Sequence, residues 1–194
     1  METRHEVANG FNAKRADSVR SAEEILIAAE RTWSADPRAS LAQIADVAGV
    51  NRTTVYRRFN SRAHLIEALA ATVQARFATI LDQVESRGLD REGLVDLAER
   101  TLRVKADWRF TLHVAASGAG IAVPDEHILS RLTTLFSGAQ SAGLIDSSMR
   151  TDWVLGVYLG LLHEAEAHMK RTGATAAESA ELLAHTLLSG LKQS

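Results

Sequence analysis

The stretch that decides the fold runs from Ser40 to Arg62 and reads SLAQIADVAGVNRTTVYRRFNSR. Ser40 and Gln43 have the spacing of a capping box, in which two side chains satisfy the free amide groups at a helix start. Gly49 stands where this short helix must end, because glycine adopts the left-handed conformation that a tight exit requires. Asn51 is a favourable N-cap for a second helix. The sequence therefore predicts two short helices joined by a tight turn.

This arrangement is typical of a helix-turn-helix, whose second helix lies in the major groove of DNA. Residues 52–62 contain four arginines and no acidic residue. Arginine can bind guanine with two hydrogen bonds, threonine can contact the thymine methyl group, and cationic or hydroxyl side chains can hold phosphates. A solvated charged surface is the alternative interpretation of the arginines. The predicted DNA-binding residues are Ser40, Gln43, Asn51, Arg52, Thr53, Thr54, Tyr56, Arg57, Arg58 and Arg62.

The segment IADVAGVNRTTVYRRF, residues 44–59, closely resembles the DNA-binding signature of the TetR family of transcription regulators. The resemblance extends from about Arg20 to Leu69, and the following NSRAHL resembles the start of the family's fourth helix. It implies an all-helical homodimer, mostly acting as a repressor, that releases a palindromic operator when a small molecule binds the C-terminal domain. It also implies that Arg62 contacts the phosphate backbone, as a lysine or arginine near this position does in the family.

The remaining sequence favours helix, because it is rich in alanine, leucine, glutamate and arginine, and the whole chain has two prolines. We predict a first helix from about residue 17 or 18 to residue 34 and a long fourth helix from about Arg62. Five more are predicted at Asp90–Asp107, Trp108–Gly118, Asp125–Ala142, Thr151–Thr172 and Thr175–Lys192. The predicted domains are an N-terminal arm (1–16), a DNA-binding domain (17–65) and an effector-binding and dimerisation domain (66–194).

Two kinds of site are predicted in the C-terminal domain. Ligand pockets are mostly apolar with a few polar groups, and the candidate lining residues are Phe77, Leu102, Trp108, Phe110, His113, Phe136, Trp153 and Tyr158. Small residues allow close helix approach, and apolar stripes bury surface, so the candidate dimerisation residues are Gly156, Gly160, Leu183 and Leu187. The alternative for both sets is that they belong to the core of one chain.

Other classes of protein are disfavoured by the sequence. The chain has no cysteine, and no nucleophile elbow, phosphate-binding loop or dinucleotide fingerprint is present. His163 and His168 lie five residues apart, a spacing that does not suit a shared metal on a helix. We therefore expect no enzyme activity, no cofactor and no metal, and a cytoplasmic protein without a membrane span.

The predicted function is that of a sequence-specific DNA-binding transcription regulator, a repressor released from its operator by a small-molecule effector. An effector-independent DNA-binding protein or a partner-binding adaptor on the same fold is the alternative. The net charge of −2 does not separate these, because the basic residues that matter are concentrated in one short segment.

Overall fold

The computed structural model describes residues 21–117 and 123–190, and this part of the chain is made of nine α-helices and no strand. The prediction of an all-α fold is confirmed. The helices are α1 (21–35), α2 (Leu41–Ala48), α3 (Arg52–Arg58), α4 (Arg62–Glu85), α5 (Arg91–Asp107), α6 (Arg109–Ala116), α7 (Glu126–Ser141), α8 (Thr151–Thr172) and α9 (Ala176–Gly190).

The chain divides into two compact units between Ala70 and Ala71. Helices α1 to α3 and the first part of α4 belong to the N-terminal unit, and the rest of α4 with α5 to α9 belongs to the C-terminal unit. The domain limits predicted at residues 16 and 65 remain predictions. The proposed arm (1–16), the predicted start of α1, and the predicted ends at Gly118 and Lys192 lie outside the described residues.

The core of the N-terminal unit is a small cluster of fully buried side chains from all four of its helices. Trp33 of α1 is completely buried, and its indole Nε1 donates a hydrogen bond to the Ala39 carbonyl at 2.9 Å. This bond fixes the turn after α1, which begins at Asp36, because the residue before a proline is disfavoured in helical geometry. The other fully buried members are Ile25, Ala29, Ile44, Ala45, Val55, Leu65 and Leu69.

Side-chain caps set the helix starts. Asp90 and Asp125 lie one residue before α5 and α7, and their carboxylates accept hydrogen bonds from Gly93 N at 2.7 Å and Ile128 N at 2.9 Å. The predicted helices therefore begin one residue early, because the N-cap residue itself is not helical. Thr175 and Glu178 form a capping box before α9: Thr175 Oγ1 accepts a hydrogen bond from Glu178 N at 3.2 Å, and Thr175 N donates one to Glu178 Oε2 at 2.8 Å.

In the C-terminal unit, α5 packs against α8 and α9, α8 packs against α9, and α7 packs against α8. The loop between α7 and α8 is held by the buried side chain of Gln140, which donates hydrogen bonds to the carbonyls of Asp146 and Met149 at 2.9 and 2.8 Å. Arg131 of α7 binds Asp82 and Glu85 of α4, both at 2.6 Å. These contacts connect the helices that surround the cavity described below.

Candidate functional site

Helix α3 buries one side and exposes a polar side. Val55 and Phe59 point into the core of the N-terminal unit, with 0% and 5% of their surface exposed. Because they stand four residues apart, the residues between them face away from the core. Tyr56 is 50% exposed and Arg57 is exposed. The exposed side of α3 therefore carries a hydroxyl and a guanidinium group in adjacent positions.

Several of the predicted DNA-binding residues are hydrogen-bonded to one another. Ser40 N donates to Gln43 Oε1 at 2.8 Å, and Gln43 N donates to Ser40 Oγ at 3.3 Å, so the predicted capping box is formed. Asn51 Oδ1 accepts hydrogen bonds from Thr53 N at 2.9 Å and Thr53 Oγ1 at 2.7 Å. These four residues hold the starts of α2 and α3. Gly49 between the helices has φ of +67°, in the left-handed region as the sequence predicts.

Arg52 begins α3 and is paired with Asp46 of α2. Its Nη2 lies 3.0 Å from Asp46 Oδ2, and both side chains are more than half exposed. The hydrogen bond that Arg52 donates to Asp46, together with the charge of that carboxylate, raises the pKa of Arg52 above its usual value. Arg52 thus lies at the protein surface with a carboxylate already beside it.

The phosphate contact that the resemblance implies for Arg62 stays a prediction, and in the structure its guanidinium contacts the protein. Nη2 donates to the Pro37 carbonyl at 2.7 Å and Nη1 to the Ala39 carbonyl at 3.4 Å. The guanidinium carbon lies 4.1 Å from the centre of the Trp33 ring, in the geometry of a cation–π contact. Arg62 therefore connects the start of α4 to the turn after α1.

Thr54, Tyr56 and Arg57 differ from the residues above. Thr54 is partly exposed on the same helix, one turn from Arg57 and Arg58. No hydrogen bond or ion pair joins the Arg57 guanidinium to another side chain in residues 21–117 and 123–190. The Arg57 guanidinium is thus available to an outside ligand without breaking a contact of this kind.

A cavity of about 240 Å³ lies within the C-terminal unit. Phe77 and Tyr158, two of the predicted ligand-binding residues, line it. The other described lining residues are Ile80, Leu81, Leu97, Thr101, Lys105, Leu112, Ala116, Val123, Pro124, Ile128, Leu132, Leu159 and Leu162. The cavity wall is therefore mainly apolar and comes from α4, α5, α6, α7 and α8.

The other six candidates for ligand binding lie elsewhere. Leu102, Trp108, Phe110 and Phe136 are buried but are not part of the cavity wall, and His113 is exposed on α6. Trp153 is 65% exposed on α8. Sequence reasoning selected aromatic side chains by type. It missed Thr101 and Lys105. Both could have been found from the four-residue spacing Leu97, Thr101, Lys105, which places the three side chains on one side of α5.

The polar groups of the cavity are few and distinctive. Tyr158 is 1% exposed, and its hydroxyl has no hydrogen-bond partner of normal geometry among the described residues. Burial raises the pKa of Tyr158 well above its usual value, and the nearby Thr101 side chain opposes this only in part. Tyr158 therefore remains a neutral hydrogen-bond donor at physiological pH.

Lys105 provides the positive charge of the cavity wall. Its Nζ lies 2.9 Å from Glu166 Oε2, and Lys170 Nζ binds the other oxygen of Glu166 at 2.5 Å. Burial by itself would raise the pKa of Glu166, but the hydrogen bonds from Lys170 and Lys105 outweigh it and the pKa is lowered. The carboxylate is thus ionised between two ammonium groups.

The predicted dimerisation residues fall into two groups. Gly156 and Gly160 are exposed on α8, and a methyl group added at either would meet no atom within 4 Å. Leu183 and Leu187 of α9 are buried within the chain, with 3% and 1% of their surface exposed. Leu182 of α9 is instead a large apolar side chain that is exposed, at 54%.

The described residues hold neither a metal site nor a membrane span. Among residues 21–117 and 123–190, no group of three histidine, cysteine, aspartate or glutamate side chains could hold a metal ion. No helix in the same ranges is long and apolar enough to span a bilayer.

Comparison with known proteins bears on both units. Residues 25–69 match the family described as bacterial regulatory proteins, tetR family. The regulator SCO0520 from Streptomyces coelicolor is 27% identical, covers 89% of this chain and 99% of its own, and has a TM-score of 0.61. LfrR from Mycobacterium smegmatis in complex with proflavine is 21% identical and has a TM-score of 0.66. The match covers 90% of this chain and 98% of LfrR.

PfmR from Thermus thermophilus, a TetR family transcriptional regulator, is 15% identical over 87% of this chain and 99% of its own, with a TM-score of 0.70. No protein of curated function matches the sequence. Residues 25–69 are therefore similar to the matching segment of TetR-family regulatory proteins, and the chain has the all-α fold of solved TetR-family transcriptional regulators.

Proposed function

We propose that this protein is a cytoplasmic transcriptional repressor that binds a palindromic operator as a homodimer and is released by a small-molecule effector. The exposed side of α3 is the observation that carries the proposal. Thr54, Tyr56 and Arg57 lie together there, and the guanidinium of Arg57 has no hydrogen bond or ion pair with another described residue. Such a helix suits the major groove, where arginine and threonine can read base edges and tyrosine can hold a phosphate.

The dimer is supported by an unusual surface on α8 and α9. Trp153, Gly156 and Gly160 are exposed on α8, at spacings of three and four residues, and Leu182 is exposed on α9. Glycines allow another helix to come close, and a large exposed aromatic beside them gains from burial. A two-fold dimer would present two copies of α3 to half-sites about 34 Å apart, as a palindromic operator requires.

The cavity favours an effector over effector-independent binding or an adaptor role. A chain that needed no ligand would be expected to fill its core, because protein interiors are close-packed. Here a space of about 240 Å³ is lined by Tyr158, whose buried hydroxyl has no hydrogen-bond partner of normal geometry among the described residues. LfrR, which has a similar fold, is known with proflavine bound. We therefore include a small-molecule ligand in the proposal.

The test is fluorescence anisotropy of the purified protein on a duplex selected from a random pool, with a scrambled duplex as reference and a salt series for each. We expect two chains per duplex and a preference for a palindromic sequence. Arg57→Ala should weaken specific binding by about 1–3 kcal/mol, roughly 5- to 150-fold, because it removes a base or phosphate contact. Arg87→Ala is the matched control, because Arg87 is an exposed arginine of the C-terminal unit.

Equal loss in both variants would show that a general charge effect is being measured. Unchanged affinity after Arg57→Ala would contradict the assignment of α3 as the recognition helix. Binding that is weak, abolished by modest salt and equal for both duplexes would favour the adaptor interpretation.

A further inference from the structure

The donors of the cavity are grouped around one turn of α5. Thr101 and Lys105 are separated by four residues, which places their Cβ atoms roughly 5–6 Å apart on one side of the helix. Thr101 is also the residue whose side chain affects the pKa of Tyr158, so the tyrosine hydroxyl is close to it. Two hydroxyl groups and an ammonium group therefore lie near one another, and the rest of the described wall is apolar.

The net charge of the cavity wall near Thr101 and Lys105 is positive. None of the described lining residues is a carboxylate, and Lys105 is the cation among them. Behind it, Glu166 binds both Lys105 and Lys170, so the three groups together carry one net positive charge. An ammonium group has three donors, so Lys105 can bind Glu166 and still donate to a ligand. A cationic ligand would be repelled, whereas an anionic one would gain charge-assisted hydrogen bonds.

The size of the cavity restricts the apolar part of the ligand. An apolar cavity of roughly 150 Å³ is sufficient for benzene, and this cavity has about 240 Å³. One ring with a substituent or two fused rings would therefore fill it. Phe77 of α4 offers a flat apolar surface and Leu97 of α5 a branched one, which suits an aromatic ring.

We propose that the cavity binds small aromatic carboxylates, with the rings among the apolar side chains, the carboxylate at Lys105 and a hydrogen bond from Tyr158. This inference rests on the proposed ligand-responsive function and names the ligand class. The carboxylate would give the buried Tyr158 hydroxyl the acceptor that it lacks. Glu166 has a positioning role, since its bond to Lys105 holds the ammonium group at the cavity wall.

The test compares three probes with one ring system and three charges: 2-naphthoate, 2-naphthamide and 2-naphthylmethylamine. Their binding to the full-length protein is measured by isothermal titration calorimetry at neutral pH. We expect 2-naphthoate to bind at least about tenfold more tightly than the amide and the amine to bind more weakly than the amide, since charge-assisted hydrogen bonds are the stronger ones. This ranking uses the unaltered protein, so it does not depend on the folding of a variant.

Two variants then locate the contact. Lys105→Met should reduce 2-naphthoate affinity about tenfold or more and amide affinity much less, because it removes the charge but keeps most of the side-chain length. Tyr158→Phe should weaken both probes by a few fold, because both offer an acceptor to the hydroxyl. Arg103→Met is the matched control, since Arg103 lies on α5, is exposed and does not line the cavity. Thermal melting of each variant checks that it is folded.

Three outcomes would overturn the inference: equal or tighter binding of the amine, an unchanged 2-naphthoate affinity in a folded Lys105→Met protein, and no binding of any probe at about 1 mM. The proposed function is tested separately by adding 2-naphthoate to the operator complex. If the acid binds with the expected ranking but does not release DNA, the ligand class is supported and the release step fails. If operator binding is observed but the ranking is reversed, the repressor proposal stands without this ligand class.

Discussion

The outer surface of α2 and α3 and the cavity of the C-terminal unit hold their polar side chains in opposite ways. On the surface, most polar groups have a partner in the protein: Ser40 with Gln43, Asn51 with Thr53, and Arg52 with Asp46. In the cavity, polar groups are scarce, and the hydroxyl of Tyr158 is buried without a partner. A polar group without a protein partner can form hydrogen bonds with water at the surface. In the interior, the same unpaired group costs free energy.

This difference teaches how to separate structural from ligand-binding residues in the two places. At the surface, a side chain without a bond to the protein, such as that of Arg57, is a better candidate for contact with DNA than a partnered one, such as that of Arg62. In the interior, the unpartnered group is the one that indicates a ligand. Substitutions in the two places can test this distinction.

The largest effect should follow from Phe136→Ala, which removes the aromatic support behind the cavity. Phe136 is completely buried, and its ring centre lies 5.0 Å from that of Tyr158. We expect the free energy of unfolding to fall by about 3–5 kcal/mol, because a large buried side chain is replaced by a void. Urea unfolding followed by circular dichroism measures it. Phe136→Leu, which conserves much of the volume, should lose less than about 1.5 kcal/mol, and equal losses would contradict tight packing here.

The second prediction concerns Arg62, where a structural and a DNA-binding role give opposite results. Arg62→Lys keeps the positive charge but cannot reproduce a planar fork that reaches two carbonyl groups and stacks on Trp33. We expect a loss of roughly 1–2 kcal/mol in the free energy of unfolding, because charged hydrogen bonds to the backbone are lost at a partly exposed site. Urea unfolding is again the measurement.

Arg38→Lys is the control for Arg62→Lys, because Arg38 is an exposed arginine of the same turn. A phosphate contact by Arg62 would instead leave stability unchanged in Arg62→Lys, and the lysine would preserve most of the DNA affinity. That result would support the phosphate contact of Arg62 and show that a partnered surface arginine can also bind DNA.

How much the sequence could predict depended on how local each signal was. The capping box at Ser40 and the turn at Gly49 involve residues a few positions apart, so the N-terminal unit could be predicted closely. The wall of the cavity depends on how five helices pack, which no short pattern specifies. Trp153 and Lys105 illustrate the limit. Trp153 is predicted to line a pocket but is exposed. Lys105 has the residue type expected at a surface but lines the cavity.

The third prediction separates capping from DNA contact at Ser40. Ser40→Ala removes the acceptor for Gln43 N and the partner of Gln43 Oε1, and it should cost about 1 kcal/mol of unfolding free energy. Ser40→Thr preserves the cap, so its loss of unfolding free energy should be only a few tenths of that of Ser40→Ala. Thermal unfolding and anisotropy are measured on the same samples. A variant that melts like the original protein but binds DNA poorly would assign Ser40 to DNA contact instead of capping.

The smallest effect should come from Asp46→Asn, which frees Arg52 without altering the core. The ion pair is exposed at both ends, so its loss should leave the melting temperature unchanged within error. In DNA binding, however, Asp46 competes with phosphate for the Arg52 guanidinium and repels the phosphate itself. The neutral asparagine should therefore raise DNA affinity by a few fold at low salt, and the salt dependence should steepen by up to about one counterion.

The measurement is the slope of log K against log salt concentration for the operator and for a scrambled duplex. Equal gains on both duplexes would show that Arg52 holds phosphate, whereas a gain confined to the operator would show that it reads a base. A loss of affinity would show instead that Asp46 must hold Arg52 in place for binding, so that a partnered surface arginine can also be a contact residue.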